Sequence, residues 1–466
     1  MSQERLLASE INQMREEGCD VSGVERRFAS ILEEGEDNWD GNLSSLWTDL
    51  ERLTPEPGFK YREPSDIESI RMSRPEGKRE LDHSLSADEY YDRVYGAWLG
   101  RCVGCVLGKP VEGWPRDRIE GYLRLSGSYP LDDYIPEVAP TPEGYTLHPS
   151  YPWAMKGTIN GMPRDDDLDY TILGLHLLEA YGFEFTAADV ASEWLTHLPY
   201  NLVYTAERVA YKNLINGLKP TETATYQNPY REWIGAQIRA DIFGYVAPGL
   251  PEAAAGLAFS DASLSHVKNG IYGEMIVAAM ISAAFVLDDI EEIINVGLAE
   301  IPENSRLAEA VRNLMQWSRE YPDWGSCWDR AMEDYGDLSW VHTINNTLFI
   351  LLGLLYGEGD LGKTVSISVM SGHDTDCTGA SAGSIIGTIL GAKALEARCA
   401  HIRAGEANRC PLGNLPRPEF LGRISPYSRF SFNKTSLSAT GARCMLPALL
   451  QCVKNEIHLK TQVIDV

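Results

Sequence analysis

Apolar residues recur at three- and four-residue intervals through most of the chain from residue 87 to about 400. The spacing predicts helices over 89–107, 168–180, 187–196, 204–215, 271–287, 290–299, 305–319, 343–355 and 379–398. Two further helical stretches, 9–16 and 24–34, lie in a more polar N-terminal segment. Alternating runs of the strand type are nearly absent, so the predicted fold class is all-α, a helical bundle. No repeat of 20–50 residues is visible, which excludes a solenoid.

The same pattern divides the chain. Residues 1–84 read as an N-terminal helical extension that ends in a tract rich in Pro, Glu and Arg. Residues 85–400 form the main helical domain. Residues 401–466 lose periodicity and are broken by Pro411, Pro416, Pro418 and Pro426, so they read as a C-terminal appendage. Within the main domain, residues 127–164 form a long loop rich in Pro, Gly, Tyr and Asp. Loops of that length are usually functional or disordered, and Tyr145, Tyr151 and Trp153 favour an ordered loop near a pocket.

Two stripes of glycine stand out. Gly96, Gly100, Gly104 and Gly108 repeat every fourth residue, as do Gly379, Gly383, Gly387 and Gly391. On a helix this places each set on one face. Each interior glycine costs about 0.8–1 kcal/mol relative to alanine, so the stripes imply a close approach of two backbones, and pairing them brings distant residues together. Gly-x-x-x-Gly also marks membrane-helix dimers. Here Arg101 and Lys109 interrupt one stripe, and Asp376 and Lys393 flank the other, leaving fewer than the roughly 20 apolar residues that a span requires.

Composition narrows the function. With a net charge of −26 over 466 residues, binding to a nucleic-acid backbone is not expected. The nine cysteines are scattered, which suits a reducing compartment. Met1 to Asn12 is polar and mixed, unlike a secretion signal. Cytoplasm is the expected location, with no membrane partner. Cys102 and Cys105 form a Cys-x-x-Cys pair without a second pair at zinc spacing, and packing in a crowded helix explains them better than redox or zinc chemistry.

The chemistry is concentrated in two acidic knots. Asp165-Asp166-Asp167-Leu168-Asp169 opens one predicted helix, and Asp374-Thr-Asp376 opens another. An aspartate at a helix start caps free N–H groups and complements the helix dipole. That explains one or two of them. The surplus needs water or a cation, and oxygen donors without a histidine–cysteine set suit Mg²⁺, Mn²⁺ or Ca²⁺ rather than zinc. His373 adjoins the second knot and reads as an orienting or packed residue. The string Asp374-Thr-Asp376-Cys-Thr378 also matches the nucleophile loop of haloacid-dehalogenase-like phosphatases, but it follows no buried strand and lies too close to the C-terminus for that fold.

Three blocks in order resemble the ADP-ribosylglycohydrolase family: Gly96-Ala-Trp-Leu-Gly100 through Gly108-Lys-Pro-Val-Glu112, Asp165-Asp166-Asp167-Leu168, and Gly372-His-Asp374-Thr-Asp376-Cys377. Trp233-Ile-Gly235 and Ser265-His266 resemble its substrate-side segments. The resemblance implies an all-helical hydrolase with two Mg²⁺ (or Mn²⁺) ions that releases ADP-ribose from an acceptor. Asp165, Asp166, Asp167, Asp374 and Asp376 would be metal ligands, Glu112 and Asp167 catalytic groups, and Trp233, Gly235 and His266 substrate contacts. The implied partner is an ADP-ribosylated protein or a small ADP-ribosyl or ribosyl metabolite. The chain also departs from the pattern. Asp165 stands at a threonine position, Leu168 at a second one, Cys377 at that of a metal-binding hydroxyl, and Arg101 at that of an aspartate. A fold-retaining binding protein is the alternative from another class, and a sugar-phosphate phosphohydrolase is a weaker third.

Overall fold

The computed structural model describes residues 2–34, 39–82, 84–149, 151–159 and 161–395. In chain order its helices are α1 (Gln3–Glu16), α2 (Ser22–Glu34), α3 (Trp39–Leu50), α4 (Ile67–Ser73), α5 (Ala87–Gly108), α6 (Arg116–Leu125), α7 (Asp166–Tyr181), α8 (Ala187–His197), α9 (Thr205–Ile215) and α10 (Glu222–Thr225). They continue as α11 (Asp241–Tyr245), α12 (Pro251–Ala262), α13 (Asn269–Ala284), α14 (Ile290–Leu298), α15 (Arg306–Glu320), α16 (Trp324–Tyr335), α17 (Thr343–Tyr356), α18 (Leu361–Met370) and α19 (Thr375–Leu390). Among the described residues the only sheet is a two-residue ribbon, β1 (Trp114–Pro115) against β2 (Gly372–His373), antiparallel. The fold is all-α.

The α5–α19 pair is the most extensive helix contact of the described structure. Gly100 faces Gly383, Gly104 faces Gly379, and Gly96 faces Gly387 and Gly391. A methyl group built on Gly104 would fall on the Gly379 carbonyl, and one on Gly383 would fall on the Gly100 carbonyl. The two glycine stripes are therefore one backbone-to-backbone seam. A capping box starts α5: the Glu89 amide donates to Ser86 Oγ at 3.2 Å, and the Ser86 amide donates to Glu89 Oε2 at 2.8 Å. Helix α13 packs behind the seam with all its residues buried, consistent with a sequence that is apolar on every side.

Helices α1–α3 form a small core of their own, including Leu7, Ile11, Leu46 and Leu50, which continues into Ala206, Val209 and Tyr230 of the main body. Buried ion pairs fasten this unit. Arg231 reaches Glu10 and Glu17, and Arg306, itself paired with Glu63 and Glu232, donates to the Glu16 carbonyl at 2.7 Å. At the end of α1, Glu16 Oε1 accepts from the Ser339 amide at 2.8 Å.

Several elements were not foreseen. Helix α12 is alanine-rich and shows little contrast between faces, and α18, Leu-Gly-Lys-Thr-Val-Ser-Ile-Ser-Val-Met, is β-branched yet helical because burial overrides propensity. The expected helix 379–398 starts earlier, at Thr375, and is interrupted at Gly391, whose φ is 74°; residues 392–395 are helical again, and 396–398 lie outside the described residues. In the long loop, Tyr145 packs on Trp114 and Tyr122, with ring centroids 5.5 Å apart in each case. The appendage expected at 401–466 lies outside the described residues.

Gly104→Ala is expected to cost about 2 kcal/mol or more, because backbone rather than a movable side chain lies in the way. Gly256→Ala on α12, where nothing lies within 4 Å, is expected to be neutral or to gain up to about 1 kcal/mol; thermal unfolding of the two variants compares them. Glu16 carries a pH signature. Burial pushes its carboxyl up from 4.5 to about 7, so the folded protein holds that proton more tightly than the unfolded chain. Its contribution to stability is full below about pH 4.5 and is lost as the pH rises through about 7. Glu16→Gln should therefore add about 1–2 kcal/mol at pH 8, allowing for partial exposure, and nothing at pH 4. Urea unfolding at the two pH values measures the difference.

Candidate metal centre

The seam delivers the acidic residues. At its end Gly108 meets the backbone of Thr375 and Asp376, and Thr375 Oγ1 donates to the Gly108 carbonyl at 2.8 Å. The ribbon then ties the turn after α5 to the turn before α19. Trp114 pairs with His373, and the Gly113 amide donates to the His373 carbonyl at 2.9 Å. Glu112 and Asp374 are thus held on adjoining turns. Asp374 is the N-cap residue of α19, and its amide donates to Asn346 Oδ1 at 3.4 Å. Asp165 caps α7, its Oδ1 accepting from the Asp167 amide at 3.1 Å.

Ligand atoms of Asp165, Asp167, Asp376 and Cys105 lie within 4.8 Å of one another, and so do those of Asp374, Asp376 and Cys377. The two knots converge, with Asp376 common to both groups. Asp166 belongs to neither group; burial, Asp165 and Asp167 push its carboxyl well up. The carboxyls of Asp167 and Asp374 are also raised, chiefly by burial and in the latter case by Asp376 as well.

Two cations already stand in the cluster. Lys109 Nζ lies 2.6 Å from Asp376 Oδ2, 2.7 Å from Asp165 Oδ2 and 2.9 Å from Glu112 Oε2. These three carboxylates hold it charged against its burial. Burial pushes Asp376 up, but the Lys109 ammonium outweighs it and leaves the carboxyl below its usual range. Arg101, with no exposed surface, donates to the Asp167 carbonyl at 2.7 Å, to Asp241 Oδ2 at 2.7 Å, to the Ile238 carbonyl at 2.6 Å and to Asp167 Oδ1 at 3.1 Å. It is a structural clamp that locks the start of α7 to α5 and α11.

Even so, carboxylate oxygens remain over. Asp376 Oδ1 and Asp167 Oδ2 are buried without a hydrogen-bond partner among the described residues. Unpaired buried carboxylate oxygens are costly, and an oxygen-rich set with surplus negative charge fits a hard divalent cation. The Cys377 thiol, pushed well up by burial and the surrounding aspartates, stays protonated and adds little to such a site.

The family model for ADP-ribosylglycohydrolase matches residues 86–413. The chain belongs to the ADP-ribosylglycohydrolase family. Among solved structures it is similar to an "ADP-ribosylglycohydrolase-related protein complex", at 19% identity and a TM-score of 0.45, over 70% of this chain and 98% of that one. Curated proteins give no match. Within that matched range, Gly96 to Gly108 is one half of the seam, and the Gly108-Lys-Pro-Val-Glu112 turn that follows supplies both Lys109 and Glu112.

Trp233, Gly235 and His266 gather in a neighbouring polar network rather than in the carboxylate cluster. Trp233 packs against Tyr230 with the rings tilted and their centroids 4.4 Å apart, beside the N-terminal core. Gly235 leaves room for the Glu207 carboxylate, which binds Arg239 at 2.7 Å. His266 has no exposed surface, and its Nδ1 meets Ser265 Oγ at 2.8 Å. Tyr170, one turn along α7 from Asp166, lies 5.3 Å from the Arg239 guanidinium and links the two regions. Lys109, Asn346 and His148 were missed as site residues. His148 Nε2 lies 3.6 Å from Glu112 Oε2, and only the Gly-Lys-Pro-Val-Glu block carried a signal for any of the three.

Arg101→Met is expected to cost about 3–5 kcal/mol, because it leaves Asp167 and Asp241 buried without their cation. The loss would appear as a lower urea midpoint with an unchanged m-value.

Proposed function

We propose that this protein is a metal-dependent hydrolase that cleaves an ADP-ribosyl, or related ribosyl, N- or O-glycosidic bond. Family membership supports glycosidic hydrolysis, and the observation that carries the reading is the convergence of Asp167 with Asp374 and Asp376 beside Glu112. In this reading Asp165, Asp166, Asp167, Asp374 and Asp376 hold Mg²⁺ or Mn²⁺, two ions by resemblance to the family. A divalent ion held by these residues would supply Lewis acidity towards a water and the ribose hydroxyls. Glu112 is the base. Burial and Asp376 push its carboxyl up to about 8; a cation bound beside it would draw that value down towards the neutral range in which a carboxylate can accept a proton. Its Oε2 faces both the Lys109 ammonium and the part-exposed His148 ring, which gives the proton a way towards solvent. The buried carboxylates, Asp167 among them, stabilise the positive charge that develops on the sugar as the acceptor leaves.

Residues 85–400 are the proposed catalytic domain, with 1–84 a helical extension fastened onto it. The substrate class is an ADP-ribosylated protein or a small ADP-ribosyl metabolite. No described helix is long and apolar enough to cross a membrane. Cytoplasm is the proposed location.

One observation favours a second reading, a non-catalytic ADP-ribose-binding protein: Lys109 already neutralises part of the cluster. Calorimetry with Mg²⁺ and ADP-ribose, paired with turnover of ADP-ribosylated peptides, O-acetyl-ADP-ribose and nucleosides, separates the two. Tight binding without turnover would select the second.

Asp374→Asn and Asp376→Asn are each expected to abolish turnover while leaving the helical circular dichroism intact; full activity in either would remove the metal role. Glu112→Gln should slow turnover by about 100-fold or more while changing ADP-ribose affinity little. Lys109→Met removes a cation that competes for Asp165 and Asp376, and it should tighten Mn²⁺ binding by about 10-fold, measured by calorimetry.

A further inference from the structure

Away from this centre, Glu193 of α8 is buried, with its side chain 5% exposed. Among the described residues its ion-pair partners are two imidazoles rather than a lysine or arginine. His176 of α7 places Nδ1 2.8 Å from Glu193 Oε2. His197, one turn along α8 from Glu193, places Nε2 3.7 Å from the same oxygen. The two rings meet edge to face with centroids 4.7 Å apart, and one ligand atom from each of the three residues lies within 4.8 Å of the others.

A buried carboxylate needs a compensating charge. Neutral imidazoles donate hydrogen bonds but bring no charge, whereas a divalent ion placed among these atoms brings two. We propose that His176, Glu193 and His197 form a second metal site, bridging α7 and α8, for a borderline divalent transition ion, Zn²⁺ in the first instance. Two imidazole nitrogens and one carboxylate oxygen are donors that select Zn²⁺ over Mg²⁺. Glu193 and His197 share a helix face at the i, i+4 spacing. Both histidine side chains are 46% exposed, which gives an ion an entry path and leaves its remaining coordination to water. The site's consequence is mechanical. It staples α8 to the same helix whose opposite end carries Asp165–Asp167, and so steadies the orientation of that helix.

The test uses the full-length protein, stripped with a chelator and titrated with Co²⁺ and Zn²⁺. Four-coordinate Co²⁺ gives a strong visible d–d band that an oxygen-ligated six-coordinate ion lacks. One equivalent of Co²⁺ should produce the band in the wild type and in Asp374→Asn, and Zn²⁺ should bleach it. The band should be lost in His176→Gln and in His197→Gln, whose half-exposed rings can be replaced without disturbing the core. Zn²⁺ should raise the unfolding midpoint of the wild type by about 2 °C or more and leave that of the double histidine variant unmoved. No band in the wild type, or a band that survives both substitutions, would overturn the proposal. A band lost only in Asp374→Asn would assign the ion to the acidic centre and would also overturn it.

Discussion

The structure depends on two backbones lying closer together than side chains allow. Along the α5–α19 seam the carbonyls of one helix occupy the space that Cβ atoms would take on the other, so the register between the helices is fixed by sterics. The glycines reduce the helix propensity of each partner, and the loss is offset by the contact they permit and by the buried helices packed around it. Because the seam runs out into Gly108 and Thr375, the same constraint fixes where Glu112 and Asp374 emerge.

The electrostatics follow from that placement. Several carboxylates are forced into a buried volume, and the chain answers with two cations of different character. Arg101 is spent on structure, gripping α7 through both a carbonyl and a carboxylate. Lys109, a point charge on a flexible stem, sits between Asp165 and Asp376, one from each acidic knot. Among the described residues, Asp167 and Asp376, which bring the two knots together, each keep a carboxylate oxygen without a hydrogen-bond partner.

Much of this was legible in the sequence because it is written in spacing. Glycines every four residues announced the seam, and acidic runs ahead of apolar helices announced the carboxylates. What escaped notice was set by tertiary context. Apart from the resemblance of its Gly-Lys-Pro-Val-Glu block, nothing local distinguishes Lys109 from a solvated lysine, and Arg101 looked like a mere departure until α7 and α11 closed over it. Asn346 and His148 come from segments whose positions only the finished fold defines. Trp233, Gly235 and His266, taken from resemblance alone, fall in the Arg239 network, whose buried pairs have no sequence periodicity to betray them.

The two-residue ribbon between Trp114–Pro115 and Gly372–His373 has a use beyond its size. It ties the turn after α5 to the turn before α19 through main-chain pairing, and Gly372, at a φ of 89°, leaves no room there for a Cβ beside the backbone of Trp114 and Arg116. A larger residue in place of Gly372 would therefore push apart the two turns that carry Glu112 and Asp374.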